Sequence, residues 1–226
     1  IAGMYESNGP LKKYFDKTYN KDFYIDEKSF EKAEIKLLKD SISLLLNKTH
    51  LNDKDIDLLI SGDLLNQITI TSYNLINKEI PFLGMYNACA TFNESLIILS
   101  NMLENKQINN GIAITSSHNL NAERQFRFPI EYGSQKKKYT TFTTTGAAAM
   151  HLTNQATNIK IESSTIGTVV DYGIKDSSNG YDVNNLLLDQ YGLHDQIYGH
   201  YSRKIHPDGD KRSHCAIEYR CSVHQL

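Results

Sequence analysis

The longest amphipathic pattern in the chain covers residues 26–47. Apolar or small side chains recur there every three or four residues, with lysines and acidic residues on the opposite face, which is the period of an α-helix. Ser29 or Asp26 can cap the start of this helix. The positions expected to face a core are Phe30, Ala33, Leu37, Ser41, Leu44 and Leu45. The pattern therefore predicts a helix that packs through one face.

Three short apolar runs follow, at residues 57–63, 80–86 and 111–116. They lack the alternation of a half-exposed strand, and unbroken runs of this length are typical of parallel strands that are covered on both faces. Helical patterns separate them at residues 66–78 and at Thr91–Glu104. The order strand, helix, strand, helix, strand predicts an α/β fold of βαβαβ type, with a mostly parallel sheet covered by helices.

The pattern changes in the last part of the chain. Residues 138–152 and 158–171 are rich in Thr and Ile and predict strands at the edge of the same sheet. From residue 176 onward the helical and the strand periodicities of the apolar residues both fade. Five of the eight histidines and two of the three cysteines fall there. We therefore expect one domain at residues 1–175 and a tail at residues 176–226, which is either a misread continuation or a divergent end. The tail lacks the short CxxC and HxxxH spacings of zinc sites, so no metal site is predicted.

Composition favours a globular protein and excludes several functions. Hydrophobic residues make up 40% of the chain and charged residues 22%, which is unlike a disordered protein. The 24 basic and 26 acidic side chains give a formal net charge of -2, so we do not expect nucleic acid as a partner. Three cysteines in a chain of this length favour reduced thiols over a disulfide framework. No apolar stretch approaches the ~20 residues that cross a bilayer, and no transmembrane segment is expected.

Cys89 lies between the second predicted strand and the helix Thr91–Glu104. Its neighbours Ala88 and Ala90 are small, as in the sharp elbows that carry nucleophiles in some enzymes. The N–H groups and the dipole at a helix start favour negative charge, so a cysteine here can act as a nucleophile or help to bind an anion. An inert packed thiol is the alternative, because free cysteine is often buried.

Polar residues follow the other two predicted strands. His118 comes after the third strand, and Asp63, with Asn66 and Gln67 behind it, comes after the first. The carboxyl ends of parallel strands meet at one edge, where open α/β sheets bind ligands. These side chains could therefore converge with Cys89 on one cavity. His118 as a turn residue and Asp63 as a helix cap are the structural alternatives.

Arg124 and Arg127 lie three residues apart in a segment, residues 123–129, that predicts a loop with aromatic neighbours. The guanidinium group binds carboxylates through two parallel hydrogen bonds, which suits recognition of a small dianion. Ion pairing within the protein or a subunit contact is the alternative.

Several of these motifs belong to one series. In chain order they are Gly9-Pro10-Leu11, Phe15-Asp16-Lys17-Thr18, Gly62-Asp63-Leu64-Leu65-Asn66-Gln67, Ala88-Cys89-Ala90-Thr91, Thr115-Ser116-Ser117-His118-Asn119, Ala122-Glu123-Arg124-Gln125-Phe126-Arg127-Phe128-Pro129, Thr144-Thr145-Gly146-Ala147 and Asp171-Tyr172-Gly173-Ile174. The series resembles the stage V sporulation protein AD family. The resemblance implies a thiolase-like fold, in which two similar βαβαβ halves pack together and the helix after the cysteine lies between two sheets. Residues 1–175 match the N-terminal half only.

The resemblance also implies a role in sporulation and spore germination. Members of the family are taken to bind dipicolinic acid, which carries calcium as its chelate, and to belong to the channel that moves it into the developing spore. The implied location is the cytoplasmic side of the forespore inner membrane, as a peripheral protein, and the implied partners are other stage V sporulation A proteins. No cofactor of its own is expected. The expected ligand-binding residues are Cys89 and His118 by the resemblance, with Asp63, Asn66, Arg124 and Arg127 added by position and charge.

Catalysis is not expected on this reading. In thiolases the general base and a second cysteine come from the second half, which residues 176–226 do not match. The alternative is a thiolase-fold acyltransferase or condensing enzyme with Cys89 as its nucleophile. A single half would also expose the helix Thr91–Glu104, and we expect the resulting apolar patch to favour a homodimer.

Overall fold

The computed structural model describes residues 1–126, 143–157, 159–164, 166 and 221–223. The chain divides into two units, one of Ile1–Ser134 with Phe142–Gln155 and one of Gln135–Thr141 with Ala156–Leu226. The first unit contains the sheet that the sequence predicts. The predicted domain boundary at residue 175 lies outside the described residues.

The first helix, α1 (Phe30–Thr49), forms where the amphipathic pattern predicts it. Ser29 is its N-cap, and the Ser29 hydroxyl accepts a hydrogen bond from the Lys32 N–H at 3.3 Å. His50 ends the helix in a left-handed conformation. The buried positions are Ala33, Glu34, Leu37, Leu38, Ser41, Ile42 and Leu46. The predicted face is thus rotated slightly, since Leu44 and Leu45 are only partly buried.

The central sheet has the strand order β2-β1-β3-β4. Strands β1 (Leu58–Gly62) and β3 (Asn110–Ser117) lie in the middle, with β2 (Phe82–Gly84) at one edge and β4 (Gly146–Thr153) on the other side. β1 runs parallel to both of its neighbours, and β4 runs antiparallel to β3. The prediction of an α/β fold with a mostly parallel sheet is confirmed, as is a strand at the sheet edge within residues 138–152.

Helices cover both faces of this sheet. α1 and α2 (Thr69–Asn74) contact each other on one face. The core on that face consists of Leu38, Ile42, Leu46, Ile56, Leu59, Ile70, Ile80, Ile112 and Ile114. On the other face α3 (Thr91–Glu104), whose bounds match the prediction, contacts β1 and β3, and its Leu99 packs on Gly111. Among the described residues, no helix has the length and apolar character that crossing a bilayer requires.

The first residues of the chain lie beside the start of β4. Ala2 forms an antiparallel bridge with Gly146. The Gly3 N–H donates to the Thr145 carbonyl at 2.8 Å, and the Thr145 N–H donates to the Glu6 carboxylate at 2.9 Å. The last of these bonds joins residues 139 positions apart in the chain. The amino-terminal segment therefore packs against the end of the sheet although it is remote in sequence.

Two predictions for the segment after β1 need correction. The helix predicted at residues 66–78 is only the six-residue α2, because Gln67 (φ 58°) and Ile68 (φ 47°) have left-handed backbone conformations. The strand predicted as buried at residues 80–86 is exposed, since Phe82 is 38% and Leu83 is 43% exposed. An edge strand has one neighbour instead of two, and an apolar run does not distinguish the two situations.

The described part of the strand predicted at residues 158–171 does not pair with the main sheet. β5 (Ile159–Ile161) pairs antiparallel with β6 (Cys221–Val223) in the second unit. Thr and Ile content predicts extended backbone, whereas the partner of a strand depends on long-range packing that local propensity does not encode.

Candidate functional site

Three of the predicted site segments lie at one edge of the sheet. β1 leads directly into Asp63, β2 leads into the bend that carries Cys89, and β3 leads into His118. Because these three strands are parallel neighbours, their carboxyl ends lie side by side. We call this side of the sheet the carboxyl edge.

Cys89 lies on the bend between β2 and α3. The bend is the 3₁₀ turn Ala88–Ala90, in which Ala88 has a φ of 42°, a strained value for a residue other than glycine. The Asn87 carbonyl accepts the Ala90 N–H at 2.9 Å and closes the turn. The Cys89 side chain is exposed and forms no disulfide. The thiol is therefore accessible at the carboxyl edge and is not packed in the core.

The start of α3 has no side-chain cap. Ala90 occupies the N-cap position and offers no acceptor to the first N–H groups of the helix. Glu94 lies in the first turn and accepts a hydrogen bond from the Asn87 amide at 2.9 Å. An uncapped helix start favours an anion, although the carboxylate of Glu94 offsets part of that attraction.

Gly62 packs closely against the residues on either side of the bend. A Cβ atom at Gly62 would overlap the carbonyl oxygen of Met85 and would lie 2.9 Å from Cγ2 of Thr91. The Met85 N–H in turn donates to the Ser61 carbonyl at 2.9 Å. The end of β1 thus contacts both the strand that enters the bend and the helix that leaves it. The position of Cys89 depends on a residue without a side chain at 62.

Asp63 serves as a structural acceptor. It is 3% exposed. One carboxylate oxygen accepts the Leu65 N–H at 2.9 Å and the other accepts the Thr71 N–H of α2 at 2.8 Å. These contacts agree with the helix-cap alternative. Asn66 is exposed on the turn that precedes α2.

His118 lies inside the protein with both ring nitrogens in hydrogen bonds. It is 0% exposed. Its Nε2 lies 2.8 Å from the Phe23 carbonyl, and its Nδ1 accepts the Leu120 N–H at 3.2 Å. The ring also stacks on Phe30 at a centroid distance of 5.3 Å. This arrangement fixes the tautomer with a proton on Nε2 and ties the amino-terminal segment to the end of β3.

Glu34 is a buried carboxyl group that the sequence analysis did not single out. It is 1% exposed on α1, where it accepts hydrogen bonds from Ser116 Oγ at 3.1 Å and from Asn121 Nδ2 at 2.9 Å. Burial raises the pKa of Glu34 from 4.5 to about 7, with a contribution from the charge of Asp63. The sequence signal that could have indicated its burial is its position between Ala33 and Ile35 on the apolar face of the helix.

Arg124 lies on a helix and not in the predicted loop. α4 (Asn119–Phe126) begins two residues after β3 and includes Arg124, whereas Arg127 lies outside the described residues. The Asn119 N–H donates to Thr145 Oγ1 at 3.0 Å, and the next N–H of the helix bonds to His118. The first two N–H groups of α4 thus already have partners within the protein.

The structure places the predicted residues in two groups. Cys89 and Asn66 are exposed, while Asp63 and His118 are buried with their polar atoms bonded to backbone. A depression of about 390 Å³ lies elsewhere, on the amino-terminal segment. It is lined by Thr18, Tyr19, Asn20, Lys21, Asp22, Ile25 and Asp26. Within the described part of the chain, no group of three or more His, Cys, Asp or Glu side chains is placed to hold a metal ion.

The comparison with protein families gives one match that covers most of the chain. The model of the family described as stage V sporulation protein AD matches residues 1–182. The stage V sporulation protein AD of Bacillus subtilis (strain 168) is 43% identical over 175 residues, which are 77% of this chain and 52% of that protein. The chain therefore spans about half the length of this relative.

Similar solved structures are thiolase-like proteins. The 3-oxoacyl-acyl-carrier-protein synthase III of Aquifex aeolicus is 16% identical, with a TM-score of 0.45 over 57% of this chain and 41% of its own. A structure of Xanthomonas campestris OleA with bound cerulenin is 17% identical, with a TM-score of 0.44 over 58% of this chain and 44% of its own.

Proposed function

The chain belongs to the stage V sporulation protein AD family, and on that premise we propose that it binds dipicolinic acid for uptake into the developing spore. Family membership supports a role in sporulation. The proposed ligand arrives as its calcium chelate, so that calcium belongs to the ligand and not to a resident metal site. The proposed role is binding without turnover, within the channel formed with other stage V sporulation A proteins.

The observation that carries this proposal is the exposed Cys89 at the uncapped start of α3. Dipicolinate has two carboxylates on a flat aromatic ring, and a helix start without a side-chain cap favours one of them. Arg124 on α4 is the cation proposed for the other. His118 and Asp63 stabilise this site indirectly, because their hydrogen bonds hold the Phe23 segment and α2 in place.

Isothermal titration calorimetry with dipicolinate, with and without calcium, tests this proposal. We expect binding by the chain, a severalfold loss of affinity in Cys89→Ala, and a loss of about tenfold or more in Arg124→Gln because a charged hydrogen bond disappears. Asn101→Ala is the matched control, since Asn101 is an exposed residue further along α3. Absence of heat with wild-type protein, or equal affinities in all variants, would contradict the proposal.

The proposed location is the cytoplasmic face of the forespore inner membrane, as a peripheral protein. Family membership is the basis of this proposed location.

We also propose that two copies of the chain associate through β2. Among the residues that the structure describes, this edge strand pairs with β1 only, and Phe82 and Leu83 are exposed on it. Tyr73, Ile76 and Tyr86 in the adjoining segments are more than half exposed, which gives an apolar surface beside an unpaired strand edge. The expected patch on α3 is absent among its described side chains, because the large apolar ones are buried or only partly exposed.

Leu83→Lys is expected to convert the dimer to a monomer, because a charge on an edge strand disfavours pairing. The measurement is the molar mass by size-exclusion chromatography with light scattering. Met150→Lys serves as the control, since Met150 is similarly exposed at 40% on the other side of the sheet. A monomeric wild-type protein, or a variant that stays dimeric, would refute the β2 interface.

The exposed thiol also favours a second candidate function, acyl transfer with Cys89 as the nucleophile. His118 cannot act as its base in the described geometry, since both ring nitrogens are already bonded. Incubation with acetyl-CoA followed by peptide mass spectrometry distinguishes the two functions. An acetyl group on Cys89 would support the acyltransferase, and an unmodified Cys89 is the result expected of a binding protein.

A further inference from the structure

The amino-terminal segment contains a turn whose side chains all face outward. Residues 10–14, which we call the 10–14 turn, are five consecutive exposed residues. Leu11 is 59% exposed and Tyr14 is 69% exposed. Lys12 and Lys13 lie between them. An aliphatic and an aromatic side chain are thus presented to solvent together with two positive charges.

Part of the backbone of this turn is satisfied by internal hydrogen bonds. The Lys12 N–H donates to the Gly9 carbonyl at 3.1 Å, and the Tyr14 N–H donates to the Leu11 carbonyl at 2.9 Å. Lys12–Tyr14 accordingly forms a 3₁₀ turn. Unpaired backbone groups are the usual obstacle to entry into a less polar medium, and these bonds lower that cost for the groups that they pair.

Charge around the turn is locally positive although the chain is not. No acidic residue occurs between positions 7 and 15. Neither Lys12 nor Lys13 forms an ion pair with the residues that the structure describes, and the Lys13 Nζ lies 4.9 Å from the Tyr14 ring centroid. The flanking acids are engaged elsewhere, since Asp16 pairs with Lys48 and Glu6 accepts the Thr145 N–H.

We propose that the 10–14 turn contacts an anionic lipid surface, with Leu11 and Tyr14 in the interfacial region and Lys12 and Lys13 at the headgroups. Tyrosine and lysine with an apolar stem are favoured at membrane interfaces, whereas lysine is depleted in protein interfaces. Each lysine near an anionic bilayer strengthens binding by about fivefold. The contact is weak and reversible, as expected of two apolar side chains. This inference rests on the peripheral location proposed above.

Co-sedimentation with vesicles tests this inference. We expect wild-type protein to bind vesicles of equal parts phosphatidylglycerol and phosphatidylcholine better than vesicles of phosphatidylcholine alone. The double variant Lys12→Glu/Lys13→Glu is expected to lose at least about tenfold in affinity, and Leu11→Ser about tenfold. Lys39→Glu and Met150→Ser are matched controls, because both residues are exposed outside the turn and outside the surface beside β2.

The proposal is overturned if wild-type protein shows no preference for the anionic vesicles or if the turn variants bind as wild type does. It is also overturned if the turn variants change the molar mass in solution, since a second copy would then cover the turn. Circular dichroism confirms that each variant is folded. Calorimetry with dipicolinate on the same variants keeps the two proposals separate, because loss of lipid binding is expected to leave ligand affinity unchanged.

Discussion

Gly62→Ala is expected to destabilise the protein by about 2 to 3 kcal/mol and to displace the bend at Cys89. The new methyl group would overlap the Met85 carbonyl oxygen and crowd Thr91, and backbone atoms cannot rotate away as a flexible side chain can. Urea denaturation measures the loss of stability. The rate of iodoacetamide alkylation at Cys89, followed by peptide mass spectrometry, reports the displacement of the bend.

Gly9→Ala is the matched control for this substitution. A Cβ atom at Gly9 would meet only the Glu6 carbonyl, at 3.3 Å, and the backbone φ of Gly9 is -80°. We expect this variant to lose less than about 1 kcal/mol and to keep the wild-type alkylation rate. Equal stability of the two alanine variants would show that β1 does not support the bend.

Stability is expected to fall by about 3 kcal/mol as the pH rises from 4.5 through 7, because of Glu34. Burial raises the pKa of Glu34 to about 7 in the folded protein. The folded state therefore holds a proton that the unfolded state releases near pH 4.5, so this contribution is complete below pH 4.5 and is lost as the pH passes 7. The charged groups that act on this carboxyl are Asp63 and Glu31.

Glu34→Gln is expected to remove this pH dependence. Glutamine keeps the shape of the side chain and can still bond to Ser116 and Asn121, but it does not titrate. The measurement is the free energy of unfolding in urea at several pH values between 5 and 8. Glu104→Gln, at an exposed position on α3, is the control and should follow wild type. A Glu34→Gln variant with the wild-type slope would rule out Glu34 as the cause.

The elements that the sequence predicts best are those with strong local patterns. The bounds of α3 match the prediction at both ends, because its apolar period begins immediately after a bend of small residues. α1 is also predicted well, and Ser29 is one of its two proposed caps. The shortening of α2 was not predictable from period alone, since it follows from left-handed backbone at Gln67 and Ile68.

The candidate site could be predicted only in part. Position after a strand correctly located Cys89, Asp63 and His118 at the carboxyl edge. Exposure could not be predicted, because the burial of His118 depends on Phe23 and Phe30, which are remote in sequence. The burial of Glu34 was not predicted for the same reason, since its hydrogen-bond partners come from β3 and α4.

The contact between the amino-terminal segment and the start of β4 has a consequence for biosynthesis. Glu6 leaves the ribosome 139 residues before its partner Thr145, an interval on the order of ten seconds at ordinary translation rates. Throughout that time the first residues have no place in the sheet, and the nascent chain presents them to chaperones and proteases. The β4 side of the first unit is therefore completed only after residue 145 has been made.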